Sequence, residues 1–330
     1  MQNTKLICMD SIESEEVKWL WKPYIPEGKL TILRGNPGEG KTMLILNIIS
    51  RLTSGKALLG DLNTEVRPPS VCIYQTAEDG LADTIKPRLV ANFADCKKVF
   101  VIDESNTPLS FSDERIESAI RDKGAKLLVL DPLQAYLGSG VDMYRANEVR
   151  PQFTSLMGVA ERTGCAIVII EHMNKMKGMK AINKGIGSMD ITGAARSVLL
   201  LAKPKATEST MYLAPIKNNL AAPGATLVFS VEDNRMFFDG TSEMSADQLL
   251  ESSGGDDVVL SKIELAEQKL LELFSKQQEW EALQLQDGLK HLDISKRTLD
   301  EAKKNLGIKS VKRETTWYWT MPNTEGKYAN

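Results

Sequence analysis

Gly35-Asn36-Pro37-Gly38-Glu39-Gly40-Lys41-Thr42 fits the pattern G-x-x-x-x-G-K-[ST] at every fixed position, with a further glycine at Gly38. The setting of the octet constrains the fold. Lys29-Leu30-Thr31-Ile32-Leu33 before it reads as a buried strand, and Met43-Leu44-Ile45-Leu46-Asn47-Ile48-Ile49 after it as an apolar helix. Such a loop turns its backbone N–H groups, with those of the helix N-terminus, toward one point. That arrangement suits a triphosphate. The expected cradle is Gly35, Asn36, Pro37, Gly38, Glu39, Gly40, Lys41, Thr42 and Met43. Lys41 is expected on the β- and γ-phosphates of ATP, and the Thr42 hydroxyl on Mg²⁺.

Strand candidates recur at 29–34, 71–76, 98–102, 126–130, 166–171 and 197–202, alternating with helical patterns. Leu127-Leu128-Val129-Leu130 and Ala166-Ile167-Val168-Ile169-Ile170 are apolar on both faces, as in a parallel sheet covered by helices on both sides. Residues 211–214, 226–231 and 235–238 read as a further antiparallel set. The expected class is therefore α/β, with a mostly parallel central sheet over 1–240. Acids around Ser252-Ser253-Gly254-Gly255 give 241–260 the composition of a linker. Residues 261–330 form a smaller unit. Ile263, Ala266, Leu270 and Phe274 share a helical face, a second helical stretch follows near 279–290, and a third opens near Ser295 and stops at Gly307. The chain then ends in a two-stranded hairpin, which completes the plan of a winged helix.

With 41 basic and 44 acidic residues, any nucleic-acid site must be local. Cys8, Cys72, Cys96 and Cys165 have no metal-ligand or paired spacing, which points to a reducing compartment. No apolar run reaches the roughly 18 residues of a membrane helix. A soluble, cytoplasmic protein without a membrane partner is the expectation.

Phosphoryl transfer needs a metal, an oriented water and balancing charge. The apolar run Leu127–Leu130 ends in Asp131, at the carboxyl end of a central strand, where ligands of such sheets bind. Asp131 is thus the metal-side candidate with Thr42. Val71-Cys72-Ile73-Tyr74-Gln75-Thr76-Ala77-Glu78-Asp79 ends a second strand in two acids. Glu78 is the candidate base, with helix capping the alternative for Asp79. His172, ending a third strand, is placed to touch the γ-phosphate. Beyond it, Lys175, Lys177, Lys180 and Lys184 are interspersed with Gly178, Gly185 and Gly187, a composition suited to a DNA backbone or to a solvated surface.

The order of glycine loop, Gln75-Thr76-Ala77-Glu78-Asp79-Gly80, Leu130-Asp131-Pro132-Leu133, Glu171-His172-Met173-Asn174-Lys175 and Gly193-Ala194-Ala195-Arg196-Ser197 resembles the RecA-like ATPases. Within them it is most similar to the RepA-type hexameric helicases of plasmids, phages and mobile elements, over about residues 15–238. The resemblance implies ATP sites at subunit interfaces of a homo-oligomer and basic residues inserted by a neighbour, with replication proteins as candidate partners. Lys217 matches the position of a trans-acting lysine, and Arg196 an arginine proposed to act across the interface. Asn219 departs from the pattern, because many relatives carry a second basic residue there.

Lys290 to Arg313 holds eight basic residues against three acidic ones, a net of +5. Ser295, Lys296, Arg297, Thr298, Lys303 and Lys304 are DNA candidates on the third helix, and Lys312 and Arg313 on the wing. This end resembles the winged helices of mobile-element ATPases, a fold that also docks proteins. Two readings follow from the chain. One is an Mg²⁺-dependent ATPase that moves on single-stranded DNA as a ring hexamer. The other is an ATP-switched initiator or helicase loader that grips duplex DNA through the winged helix.

Overall fold

The computed structural model describes residues 6–61, 67–138, 140–173, 181–185, 189–204, 210–253, 266, 270, 273–274, 277, 279–282, 284–285, 296–313 and 316–321; the side chains of 189, 190, 253, 296–298, 301 and 305 lie outside this description. The chain divides into two units, Met1–Gly254 and Gly255–Asn330.

The first unit is built around a nine-stranded sheet. A short hairpin, β1 (Trp19–Trp21) and β2 (Ile25–Pro26), leads into β3 (Leu30–Gly35), the phosphate loop and α1 (Lys41–Thr53). Then come β4 (Cys72–Thr76), α2 (Lys86–Ala91), β5 (Val99–Phe100), α3 (Glu114–Lys123), β6 (Leu127–Asp131), α4 (Ala146–Thr163) and β7 (Ala166–His172). The unit closes with α5 (Met189–Ala194), β8 (Ser197–Ala202), β9 (Thr210–Asn218), β10 (Thr226–Glu232), β11 (Arg235–Ser242) and α6 (Ala246–Ser253). The strand order is β11-β10-β9-β8-β3-β7-β6-β4-β5. The run from β8 to β5 is parallel, and β9, β10 and β11 add on antiparallel. This large, mostly parallel sheet fits a RecA-like core.

The continuous apolar strands are explained by two cores. Leu127, Val129, Val168 and Ile170 point to the layer of α1 and α2, where Leu44, Ile48 and Leu89 meet them. Leu128, Leu130, Ile167 and Ile169 point the other way, to Ile120 of α3 and Phe153 and Leu156 of α4. Each such side chain stabilises by roughly 1.5–3 kcal/mol on burial. A one-residue slip would exchange the two layers, so the register is firmly set. The tryptophan-rich entry, Leu20, Trp21, Tyr24 and Ile25, packs on this unit's own core.

The expected linker over 241–260 is partly regular structure. β11 continues to Ser242, and α6 lays Ala246, Leu249 and Leu250 on Leu200 and Ala214 of the sheet. Acids and serines mark the solvent face of this helix, while its apolar residues recur at i, i+3 and i+4.

In the second unit, α7 (Lys296–Asn305) ends at Gly307, whose φ is +68°. Three antiparallel strands follow the order β12 (Glu279–Glu281), β14 (Thr316–Thr320), β13 (Lys309–Arg313). Ala266, Leu270, Phe274, Leu299, Ala302, Ile308 and Trp319 form its core. The helix expected from 279 begins instead as a strand, and the hairpin gains a third member. Trp280 sits opposite Trp319, and that cross-strand aromatic pair outweighs local helix propensity.

Candidate active site

The phosphate loop leaves β3 at its carboxyl end, between β7 and β8. The chain departs from β3 toward β4 on one side and later returns to place β8 on the other, so the loop lies at a topological switch point. Gly35 and Gly40 are required there. A Cβ on Gly35 would stand 2.5 Å from the Leu201 carbonyl oxygen, and Gly40 has φ +92° against Met211. Glu39 braces the loop from within: its carboxylate accepts from Asn36 N at 2.5 Å and Asn36 Nδ2 at 2.9 Å. Burial raises its pKa, opposed by the hydrogen bonds from Asn36, the Lys41 charge and the backbone N–H of Lys203. Lys41 is also buried, and its Nζ donates to Gly35 O at 2.9 Å and Asn36 O at 2.7 Å. Desolvation lowers its pKa, while Glu39, Asp131 and Glu78 pull it back up. Met43 turns its side chain to the core beneath the loop, leaving its backbone to the cradle.

Asp131 ends β6 across from Thr42, whose Oγ1 donates to Asp131 Oδ2 at 3.4 Å. Tyr74 OH donates to the same oxygen at 2.8 Å. Burial raises the Asp131 pKa; the Tyr74 hydrogen bond and Lys41 oppose it, and the Glu78 and Asp79 charges add to it. A hydroxyl and one carboxylate are hard oxygen donors. They fit Mg²⁺, which keeps several waters and binds through one or two carboxylates and substrate phosphates. Tyr74 escaped the sequence reading because a tyrosine inside an apolar strand reads as core. The only sequence signal is its alternation with Thr76, the register partner of Asp131.

Glu78 lies just beyond β4. Its side chain is 59% exposed, with Oε1 3.6 Å from His172 Nε2. Thr76 Oγ1 accepts from the backbone N–H groups of both Glu78 and Asp79, fixing the turn. Asp79 does not cap the following helix; it faces Arg88 at 3.7 Å. His172 is the register partner of Gly35, and its buried Nδ1 has no hydrogen-bond partner among the described residues. Lys41, Thr42, Asp131, Glu78 and His172 therefore gather at one edge of the sheet.

Arg196 and Lys217 do not join them. Arg196 N donates to Leu30 O, and Lys217 pairs with Val198 near the start of β8. Arg196 is level with Leu30 at the amino end of β3, five residues and about 16 Å from Gly35, and Lys217 is level with Ile32, three residues and about 10 Å back along the strand. Lys217 is not the solvated lysine of an ordinary turn. Its Nζ donates to Thr192 O at 2.9 Å, Gly193 O at 3.3 Å and Ala195 O at 2.8 Å, as a cation at the carboxyl end of a helix. Desolvation, then Arg196, lowers its pKa.

Of the DNA candidates, Lys184 is half-buried beside the bridge from Met173 to Gly185. Lys175, Lys177, Lys180 and Ser295 lie outside the described residues, as do the side chains of Lys296, Arg297 and Thr298 in α7. In the second unit Lys303 lies 4.6 Å from the Trp319 ring centre, and Lys312 and Arg313 lie 5.9 Å from those of Trp317 and Tyr318. Arg313 also meets Glu279 at 3.1 Å, and Lys304 is exposed. Among the described residues no helix is long and apolar enough to cross a membrane, and no group of three His, Cys, Asp or Glu could hold a metal.

Residues 6–178, just over half of the chain, match the AAA domain family. The chain is also 27% identical to the DNA repair protein RadA of Halalkalibacterium halodurans over 154 residues, 46% of this chain. The match spans 29% of the length of that relative. With its phosphate loop at the head of a parallel sheet and a match across 6–178, the chain belongs to the AAA domain family.

Proposed function

We propose that the chain is an Mg²⁺-dependent ATPase of RecA-like build whose hydrolysis is coupled to DNA, working as a ring hexamer in the replication of mobile elements. The observation that carries this reading is the separation of its charged residues along one sheet. Lys41, Thr42, Asp131 and Glu78 stand at the phosphate loop, while Lys217 and Arg196 stand about 10 and 16 Å back along the strands. No single subunit brings them together, whereas a head-to-tail neighbour does.

In this mechanism the loop N–H groups and Lys41 hold the β- and γ-phosphates. Thr42 and Asp131 would hold Mg²⁺, which supplies charge neutralisation on those phosphates. Glu78 orients the attacking water and takes its proton. His172, between Glu78 and Gly35, senses the γ-phosphate at the root of the 173–190 segment. Lys217 and Arg196 of the neighbour balance the charge that develops during transfer. The resemblance to RadA, a protein named for DNA repair, supports coupling to DNA.

A second reading, an ATP-switched initiator or loader, is favoured by the smaller unit. We read its helices and three-stranded sheet as a winged helix. Lys303, Lys312 and Arg313, lying over aromatic rings, present a basic face suited to duplex DNA.

The test is ATP hydrolysis with and without single-stranded DNA, beside the mass of the assembly. The motor reading expects a multi-subunit ring and turnover raised about tenfold by single strands. A monomer whose hydrolysis ignores single-stranded DNA would leave the switch.

A further inference from the structure

Arg34, one residue before Gly35, is fully buried. A guanidinium cut off from water must place its donors on protein acceptors. Its Nε donates to Glu171 Oε2 at 2.7 Å, one terminal nitrogen to Ala181 O at 3.0 Å and Ile182 O at 3.1 Å, and the other to Thr192 Oγ1 at 3.0 Å. Glu171 is its register partner on β7 and immediately precedes His172. Gly185 lies against the pair so closely that a Cβ there would overlap the guanidinium. One side chain beneath the phosphate loop thus holds part of the 173–190 segment and α5.

Thr192 is held twice. Its hydroxyl accepts from Arg34, and its carbonyl accepts from Lys217 Nζ at 2.9 Å. The two cations come from different strands, Arg34 from β3 and Lys217 from β9, and meet at this one residue. α5 is only six residues long, too short to hold its own position without such anchors. A buried ion pair is weak evidence for stability, which leaves placement as the better account of Arg34.

We infer that Arg34 and Thr192 are positioning residues: they tie the phosphate-loop strand of a subunit to the lysine that it presents to its neighbour, so that the two ATP sites it touches respond together. This rests on the proposed role of Lys217 across the interface.

The test uses Thr192→Val, Thr192→Ser, Lys217→Ala and the Thr192→Val/Lys217→Ala double variant, with the thermal midpoint and nucleotide affinity read beside turnover. Thr192→Val leaves a buried guanidinium N–H without its acceptor, so it is expected to melt a few degrees lower and bind nucleotide within about twofold, yet lose about tenfold in kcat at a temperature where it is fully folded. Thr192→Ser, which retains the hydroxyl, is expected to retain kcat. The double variant is expected to turn over no more slowly than Lys217→Ala alone, as for two residues acting through one step. If Lys217→Ala turns over normally, the interface role itself fails. If Lys217→Ala is impaired while Thr192→Val is not, only the positioning role is overturned. Loss of nucleotide affinity in step with turnover, or a Thr192→Ser variant as slow as Thr192→Val, also overturns it.

Discussion

Glu78→Gln is expected to bind nucleotide about as tightly as the parent and to turn it over roughly 10²–10⁴-fold more slowly. The carboxylate stands at the end of β4, 59% exposed and 3.6 Å from His172 Nε2, on a turn fixed by Thr76. Glutamine keeps the length and hydrogen-bonding reach of the side chain and loses only the capacity to take a proton. Binding depends on the loop and Lys41, which the substitution leaves alone. Steady-state hydrolysis beside titration with a fluorescent nucleotide separates the two properties. Normal turnover in Glu78→Gln would remove it as the base. Loss of affinity in proportion would make it a binding residue.

Asp131→Asn is expected to lower turnover by about 100-fold or more, since the metal would lose its protein carboxylate. The same variant is expected to be more stable than the parent at neutral pH. Burial, the largest cause, lifts the Asp131 pKa above the ordinary carboxylate range. The folded state therefore keeps its proton to higher pH than the unfolded chain. Below the unfolded pKa neither state is charged and there is no penalty. As pH rises from there through the folded pKa, the unfolded chain ionises first and stability falls. Asparagine never ionises, and its carbonyl still accepts from Tyr74. Denaturation curves from pH 3 to 8 should show Asp131→Asn gaining on the parent as pH rises. A variant that loses stability at neutral pH would mean that Lys41 and Tyr74 outweigh the cost of burying the charge.

The frame of the fold is legible in the sequence because the strands are apolar on both faces. Leu127–Leu130 and Ala166–Ile170 have few other places to go than the middle of a covered sheet. The end of such a run is then a site position, which is how Asp131 and His172 are found. What escapes is whatever depends on a partner far along the chain. Arg34 and Glu171 are 137 residues apart, and each looks like a stray charge in an apolar strand until β3 and β7 are put in register. Tyr74 is hidden in the same way. Glu39 reads as a variable position of the glycine loop, although its carboxylate ties that loop together. At 246–253, composition speaks louder than the three apolar residues that dock the helix. Lys217 is found through resemblance alone; nothing local distinguishes it from a surface lysine, and its grip on α5 emerges only in three dimensions.

The proposed function centres on a composite site, with Lys41 supplied by one subunit and Lys217 by the next. Mixing two inactive variants tests it most directly. Lys41→Ala has a defective loop but an intact Lys217, and Lys217→Ala the reverse. In randomly mixed rings about one interface in four joins an intact loop to an intact lysine. ATP hydrolysis is measured for each variant alone and after co-assembly in equal amounts. A composite site gives recovery toward about a quarter of parental turnover in rings that contain both chains. Mixed rings as inactive as either variant alone would place Lys217 in service of its own subunit and contradict it.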